Sequence, residues 1–327
     1  MLRSPCDAAR LPRDPALTGI AWLERRLAEA GRAPHQVQVV KHRPGRRLVV
    51  RETGLPGAPA LYWKLYRNDR GARLLRTHDE LARLARARRV RFRVPAPVGY
   101  WPAQRALAVR EAGGRPLTGL DDLALAPAAV DAGLALATLH DSGWQPPRRW
   151  GLSDEEEVLA SACTVLERGG HSPGARAALL YARLVRGWER APLAEAPLHR
   201  DFHPGQVLRD ADGTITVLDW DAAARGPAVV DVANFAAHLR LEGLRRPDRR
   251  ETWLVAERAF LDAYFRARRV EPWPTLEQFA AGTLLRLAAI ALERRGDRDE
   301  ALGLLDLAEA AACGAGDAAD RPAGPVA

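Results

Sequence analysis

Lysine is nearly absent from this chain of 327 residues, because only two of its 49 basic side chains, Lys41 and Lys64, are lysines. Arginine therefore serves almost every basic position. A lysine that remains indicates a place where a compact ammonium group is needed and a planar guanidinium does not fit. The scarcity nominates both lysines as candidate functional residues.

Cysteine is also scarce, and no long apolar run is present. The three cysteines, Cys6, Cys163 and Cys313, lie far apart, and this odd, dispersed set excludes a disulfide framework and a zinc-binding spacing. No run of about 18 apolar residues indicates a spanning helix. The first residues show no apolar segment followed by a cleavage site of small residues. We expect a cytoplasmic protein with no signal peptide and no membrane partner.

The charge is strongly basic, with a net charge of +8 and a pI of about 10.1. Such a balance raises the alternative of a nucleic-acid-binding protein, which would bind random duplex in a salt-dependent way. Acids are interleaved with the arginines, however, and the densest basic segment, 83–93, favours a solvated helix face. We therefore expect no nucleic-acid partner.

The order of predicted elements is that of an α+β protein with two lobes. A helix over 15–31 precedes strands at 37–41, 47–51 and 60–66, a helix over 70–89, and strands at 98–101 and 106–111. Helices dominate from residue 113 onward, around one β-type insertion at 206–219. The predicted helices lie at about 127–141, 154–168, 173–190, 227–243, 250–267, 275–293 and 298–312. This order predicts four segments: an N-terminal extension with one helix (1–34), a small sheet with one helix (35–112), a helical region (113–313) and a flexible tail (314–327).

The segment from Leu198 to Asp221 contains a predicted hairpin. Asp212 and Gly213 are typical of a two-residue turn, and pairing outward from them places Gln206 opposite Asp219, with Cβ atoms about 4.5–5.5 Å apart. Two oxygen-bearing side chains at the open end suit a hard cation such as Mg²⁺. Asp201 precedes them on a loop, where a carboxylate can accept the proton of an attacking hydroxyl.

The spacing of these residues matches the kinase pattern H-R-D-x-x-x-x-N followed by an aspartate after a short hairpin. His199-Arg200-Asp201 is followed by Gln206 in place of Asn, and then by Asp219. The chain thus resembles the aminoglycoside phosphotransferase and choline kinase-like family of the protein-kinase-like superfamily. The resemblance spans roughly 35–310, and the segment 198–235 is its most specific part.

The resemblance implies a two-lobed protein-kinase-like fold that uses ATP and Mg²⁺ to phosphorylate a hydroxyl of a small molecule. It also implies the roles of individual residues. These are Asp201 as the catalytic residue; Gln206 and Asp219 as metal ligands; Lys64 and Glu80 as an ion pair at the phosphates; Arg110, Glu111 and Ala112 at the adenine; His199 and Asp231 as supports of the catalytic loop; and Asp221 and His203 at the metal or the substrate.

Several features depart from the family pattern and leave alternatives open. Gln206 is one methylene longer than Asn, and kinases of maltose resemble the chain here, so a maltose-type sugar kinase is one alternative. A catalytically weak nucleotide-binding regulator is another. Arg200 resembles protein kinases, but the segment 220–227 is too short for an activation loop. Glu80 also fits a capping box that begins at Thr77. Trp253, Tyr264 and Trp273 fit either a core or an aromatic box for an ammonium group.

Overall fold

The computed structural model describes residues 11–54, 57–188, 193–271 and 273–319. The chain divides into two compact units. The sheet unit comprises Met1–Arg88, Phe92–Gly114 and Thr216–Asp221, and the helical unit comprises Arg89–Arg91, Arg115–Ile215 and Ala222–Ala327. The predicted extension begins, and the predicted tail ends, outside the described residues.

The sheet unit contains five antiparallel strands and two helices within its described residues. Its strands follow the order β1-β2-β3-β5-β4. In chain order the elements are α1 (Ile20–Glu29), β1 (Val37–Arg43), β2 (Arg47–Glu52), β3 (Leu61–Tyr66), α2 (Arg70–Arg86), β4 (Pro97–Trp101) and β5 (Ala106–Arg110). Every element predicted for this region is present, although α1 is shorter than predicted.

The two faces of this sheet have different characters, because side chains alternate along a strand. Leu48, Val50, Trp63 and Leu65 lie on one face, where they form a core with the buried side of α1. Lys64 is next to Trp63 in β3 and therefore points to the opposite face. Strand alternation thus separates the polar face from the core.

Helix α2 packs close to the polar face. A Cβ atom added to Gly71 would lie 2.6 Å from the ring of Tyr100 and 3.4 Å from that of Tyr66, so only glycine allows this approach. The buried side of the helix continues through Leu74 and His78. Tyr66 lies two residues after Lys64, and α2 therefore covers the face that carries this lysine.

The helical unit contains seven helices within its described residues. They are α3 (Asp122–His140), α4 (Leu152–Arg168), α5 (His171–Trp188), α6 (Val229–Arg245), α7 (Arg250–Arg268), α8 (Leu276–Arg295) and α9 (Arg298–Ala319). All seven were predicted, with ends that differ by a few residues. The largest difference is at α9, which continues to Ala319 and not to the predicted end at 312.

Short strands connect these helices. They are β6 (Arg115–Pro116), β7 (Glu195–Leu198), β8 (Val207–Arg209), β9 (Ile215–Val217) and β10 (Ala224–Pro227). The chain passes from the helical unit into the sheet unit within β9. Antiparallel pairing of β7 with β10 brings Ala224 opposite Leu198, which fixes the chain immediately before His199.

The turn of the predicted hairpin is longer than expected. The amide of Asp210 donates to the carbonyl of Thr214 at 3.0 Å, and that of Gly213 donates to the carbonyl of Asp210 at 3.0 Å. Gly213 has a φ of +83°, so the loop has three residues with a left-handed glycine at its end. The predicted two-residue turn was wrong, and the register derived from it, with Gln206 opposite Asp219, does not hold.

Helix α3 is long and apolar enough to cross a membrane by length and composition alone. Its most apolar window has a mean hydropathy of 1.5, and 56% of that window is buried inside the protein. The helix packs against α7, and a Cβ atom on its Gly133 would lie 2.6 Å from the carbonyl oxygen of Phe260. The apolar character of α3 is thus accounted for by a central position in the helical unit.

Candidate active site

The ammonium group of Lys64 contacts a carboxylate within the sheet unit. Its Nζ lies 3.4 Å from Oδ1 of Asp219, and Nη2 of Arg47 lies 3.8 Å from Oδ2 of the same residue. Lys64 is half-buried, whereas Lys41 is exposed on the edge strand β1. Of the two lysines that composition nominated, Lys64 is therefore the one within an electrostatic cluster on the polar face.

Asp221 joins this cluster from the same segment as Asp219. Arg47 donates to its Oδ2, and the hydroxyl of Tyr66 donates to its Oδ1 at 3.1 Å. Burial raises the pKa of Asp221, and the neighbouring Asp219 carboxylate raises it further, against the charges of Lys64 and Arg47. Two carboxylates are thus held side by side by two cations and one phenol.

The backbone at Asp219 is in the left-handed region, with a φ of +52°. A residue with a side chain reaches this region at a cost of about 1–3 kcal/mol, and such residues cluster at functional sites. Carboxylate oxygens are the donors that Mg²⁺ prefers, so Asp219 and Asp221 fit a hard cation by chemistry. The described residues contain no group of three or more histidine, cysteine, aspartate or glutamate side chains that could hold a metal ion.

Helix α2 presents a histidine, not an acid, on its buried side. His78 is 2% exposed, and its Nδ1 lies 2.7 Å from the carbonyl oxygen of Pro95. Glu80 lies two residues on, at about 200° around the helix, and is half-buried. The recorded carboxylate partner of Lys64 is Asp219, and the ion pair with Glu80 stays a prediction.

The segment predicted to bind adenine follows the end of β5. The amide of Arg110 donates to the carbonyl of Ala96 at 2.8 Å, and that of Glu111 donates to the carbonyl of Ala60 at 2.7 Å. The Glu111 side chain is held by Arg51, and this hydrogen bond lowers its pKa. Both amides are thus hydrogen-bonded within the sheet unit, and the contact of this segment with adenine stays a prediction.

Asp231 on α6 anchors the loop that carries Asp201. This carboxylate is fully buried and accepts hydrogen bonds from the amides of His199 and Arg200, both at 2.7 Å. His140 lies 3.3 Å from it. Burial alone raises the pKa of Asp231, but hydrogen bonding and charge from His140 and from His199 outweigh burial and lower it. Asp231 therefore holds the loop as an anion.

The rest of the loop is held by local hydrogen bonds. The amide of Asp201 donates to Nδ1 of His199 at 3.2 Å, and that of Gly205 donates to Nδ1 of His203 at 3.1 Å. The amide of Gln206 donates to the carbonyl of His203 at 2.8 Å. With its backbone fixed in this way, Asp201 remains half-buried, and Gln206 lies directly before β8.

Arg200 is packed inside the helical unit. Its guanidinium carbon lies 3.0 Å from the ring centroid of Trp150, and its Nη2 lies 3.6 Å from Glu155. The indole of Trp150 donates to the same glutamate at 2.5 Å. Burial lowers the pKa of Arg200 to about 10. In a protein kinase, the corresponding arginine would pair with a phosphorylated loop. Here Arg200 instead contacts Trp150 and Glu155 within the helical unit.

The structure thus collects the predicted residues in two places. Lys64, Asp219 and Asp221 form one cluster in the sheet unit, and the loop from His199 to Gln206 with Asp231 forms the other in the helical unit. The sequence interpretation missed the side chains that brace each of these places within its own unit. Strand pairing could have suggested only one of them, Arg47, which lies opposite Tyr66. The missed side chains are Arg47, Tyr66, His140, Asn234 and Arg286.

Known proteins resemble this chain along most of its length. The Phosphotransferase enzyme family matches residues 24–279. No curated protein matches the chain.

The similar solved structures are kinases of small molecules. A choline kinase from Streptococcus pneumoniae superposes with a TM-score of 0.60 at 11% identity, over 90% of this chain and 98% of the other. An aminoglycoside-3'-phosphotransferase of type VIII has a TM-score of 0.55 at 22% identity, over 83% and 93%. An aminoglycoside phosphotransferase from Streptomyces rimosus, in complex with ADP and streptomycin, has a TM-score of 0.55 at 18% identity, over 83% and 97%. The fold is therefore the two-lobed α+β fold of protein-kinase-like enzymes.

Proposed function

Because the chain belongs to the Phosphotransferase enzyme family, we propose that it transfers the γ-phosphoryl group of ATP to a hydroxyl of a small molecule. The observation that carries this proposal is the anchored loop, in which buried Asp231 fixes the backbone on either side of the His199–Arg200 peptide and so fixes the approach to Asp201. Catalysis of phosphoryl transfer depends mainly on such positioning and on charge neutralisation.

Asp201 is the proposed catalytic residue. The hydroxyl oxygen of the acceptor attacks the γ-phosphorus, the bond to the bridging oxygen breaks, and ADP leaves with the electron pair. Asp201 orients the hydroxyl and accepts its proton. The backbone bonds around His199 and His203 support this role, because a base must be held within hydrogen-bonding distance of the proton that it takes.

Lys64 is the proposed partner of the nucleotide phosphates. Its present partner is Asp219, and the negative charge of a nucleotide would compete with that carboxylate for the ammonium group. Glu80 is proposed to orient Lys64, and the segment Arg110, Glu111 and Ala112 to meet the adenine. The neighbour solved with ADP supports the use of an adenine nucleotide. With ATP as the phosphoryl donor, we expect the protein to act in the cytoplasm.

Asp219 is the proposed ligand of Mg²⁺, with Asp221 as a further oxygen donor from the same segment. Gln206 stays a sequence-based candidate for this role, because the hairpin register that placed it opposite Asp219 does not hold. The bound ion would neutralise charge on the phosphates. The chain's own contribution is to hold Asp219 and Asp221 together by means of Arg47 and Tyr66. The longer side chain of Gln206 keeps the amide oxygen that this role requires.

A maltose-type sugar kinase is the second candidate, favoured by the sequence Gly205-Gln206-Val207-Leu208 at the end of the loop. Both candidates are tested by one screen. Purified protein is incubated with ATP and Mg²⁺ against hydroxylated metabolites, disaccharides and aminoglycosides, and release of ADP is measured beside formation of a phosphorylated product. A product from any class supports the proposal, and one from maltose selects the second candidate. ATP binding without any product would instead favour a nucleotide-binding regulator.

A further inference from the structure

Arg286 on α8 carries a positive charge next to the catalytic loop. Its Nη2 donates to Oδ1 of Asn234 at 2.8 Å, and Nδ2 of Asn234 donates to the carbonyl of Phe202 at 2.8 Å. Phe202 is the residue after Asp201. Two hydrogen bonds therefore link the guanidinium to the backbone beside the proposed catalytic carboxylate.

Arg286 differs in its partners from two other arginines of this unit, Arg240 and Arg245. Arg240 is held by Glu257 and Glu277, and Arg245 is held by Glu300 and Glu242. Within the described part of the chain, Arg286 has no carboxylate partner, and its one recorded side-chain bond goes to a neutral amide. A guanidinium has five N–H donors, so most of its donor capacity and all of its charge remain available.

A pair of stacked histidines lies beside the same loop. His203 of the loop and His238 of α6 have ring centroids 4.5 Å apart and planes 17° apart. Nδ1 of His203 accepts from the amide of Gly205, so a neutral ring carries its proton on Nε2. His238 is half-buried. The pair thus contributes imidazole nitrogens and no acidic group.

The charges that act on His238 are all basic. Burial lowers its pKa well below the ordinary value, and His203, Arg286 and Arg245 lower it further, with no acid opposing them. The acid one turn along α6, Glu242, lies 3.3 Å from Arg245 and 3.4 Å from Arg246. Glu242 and Arg245 therefore offset each other, and Arg286 supplies the positive charge near His238 that has no carboxylate partner among the described residues.

We propose that Arg286 and the His203–His238 pair form an oxyanion subsite, so that the acceptor carries a carboxylate or a phosphate beside the hydroxyl that is phosphorylated. The inference rests on the proposed function. A guanidinium binds oxyanions through charge-assisted and often bidentate hydrogen bonds. A polycationic acceptor such as an aminoglycoside would instead need several uncommitted carboxylates, and Glu242 on α6 is already paired with arginines.

Direct binding tests the subsite without any turnover. Sodium tartrate and threitol share a four-carbon diol core and differ in their two carboxylates. Each is titrated while the Cε1–H signals of the histidines are followed by NMR, with His203→Gln and His238→Gln assigning the two signals. We expect tartrate to shift both signals and threitol to shift neither. Arg286→Gln should weaken tartrate binding about 10- to 100-fold, and Arg286→Lys should weaken it less.

A matched control removes an arginine elsewhere. Arg258 is exposed on α7 with a surface partner, Glu251, and Arg258→Gln should leave the tartrate titration unchanged. The inference is overturned if tartrate shifts neither histidine, or if Arg286→Gln binds tartrate as the wild type does.

Turnover measurements test this inference separately from the proposed function. They also distinguish an acceptor that carries a carboxylate from one that carries a phosphate. D-gluconate, D-glucose 6-phosphate, D-glucose and kanamycin are compared as acceptors. Preference for either anion over glucose, with a KM that rises more for that anion than for glucose in Arg286→Gln, supports the subsite and identifies its ligand. Preference for glucose or kanamycin, or an equal fall of kcat for all acceptors in Arg286→Gln, overturns the subsite but leaves the kinase proposal intact. No phosphorylated product from any acceptor in this panel or the broader screen would overturn both.

Discussion

Asp231 shows how one buried charge can organise a loop. Its carboxylate accepts two backbone amides and lies beside His140, whose Nδ1 is 2.7 Å from the hydroxyl of Tyr264. The sequence motif predicted Asp231 and His199, because their spacing lies within one short segment. It did not predict His140 or Asn234, because their contacts join helices that are far apart in sequence and carry no local signal.

Asp231→Asn is predicted to destabilise the protein by about 3–5 kcal/mol, since the change removes one partner from a buried, hydrogen-bonded charge network. The measurement is the free energy of unfolding in urea. The control is Asp262→Asn on the exposed side of α7, which should change that free energy by less than about 1 kcal/mol. Equal stabilities of the two variants would contradict this account of the loop.

His78 is predicted to make stability depend on pH. Burial lowers its folded-state pKa to about 4, below the ordinary 6.5, so between these values the unfolded chain binds the additional proton. The contribution of His78 is therefore complete above pH 6.5 and is lost as the pH falls toward 4, by roughly 3 kcal/mol in total.

The check is urea unfolding of the wild type and of His78→Asn, at pH 7 and pH 4.5. Asparagine can still donate to the carbonyl of Pro95 but does not titrate. The difference in stability between the two pH values should shrink by about 2 kcal/mol or more in the variant. An unchanged difference would show that His78 does not titrate in this way.

At the scale of elements, periodicity and turn residues predicted the seven helices of the helical unit and the five strands of the sheet unit. They missed β7 and β10, because each has four residues, includes proline or glycine, and pairs with a strand 26 or more residues away. The register of the hairpin also failed, because the left-handed Gly213 adds a third loop residue that the two-residue signal does not reveal.

Helix packing at Gly133 gives a prediction at this scale. Alanine there would place Cβ 2.6 Å from the carbonyl oxygen of Phe260 on α7. Because that oxygen belongs to the backbone of a packed helix, it cannot move away without a cost in free energy. Gly133→Ala should therefore lower the free energy of unfolding by about 1–3 kcal/mol, despite the better helix propensity of alanine. Gly314→Ala, in α9 with nothing within 4 Å, should be neutral or slightly stabilising. A stabilised Gly133→Ala would contradict the close approach of α3 and α7.

At the scale of the whole molecule, family membership and fold define a phosphotransferase, but neither defines the acceptor. The basic composition did not indicate the acceptor, because only contacts show which arginines are paired with acids. Among the described residues, Arg240 and Arg245 have carboxylate partners, whereas Arg286 binds a neutral amide. The proposed anionic acceptor rests on the contacts of Arg286 beside the catalytic loop, which the sequence could not show.

The central claim is that Asp201 performs the chemistry of phosphoryl transfer. The most direct measurement is the rate of phosphorylated-product formation by Asp201→Asn on the acceptor that the screen identifies, with the affinity for ATP measured in parallel. The account predicts a fall in kcat of about 10²- to 10⁴-fold with an unchanged Kd for ATP. Full phosphotransfer by Asp201→Asn would contradict it.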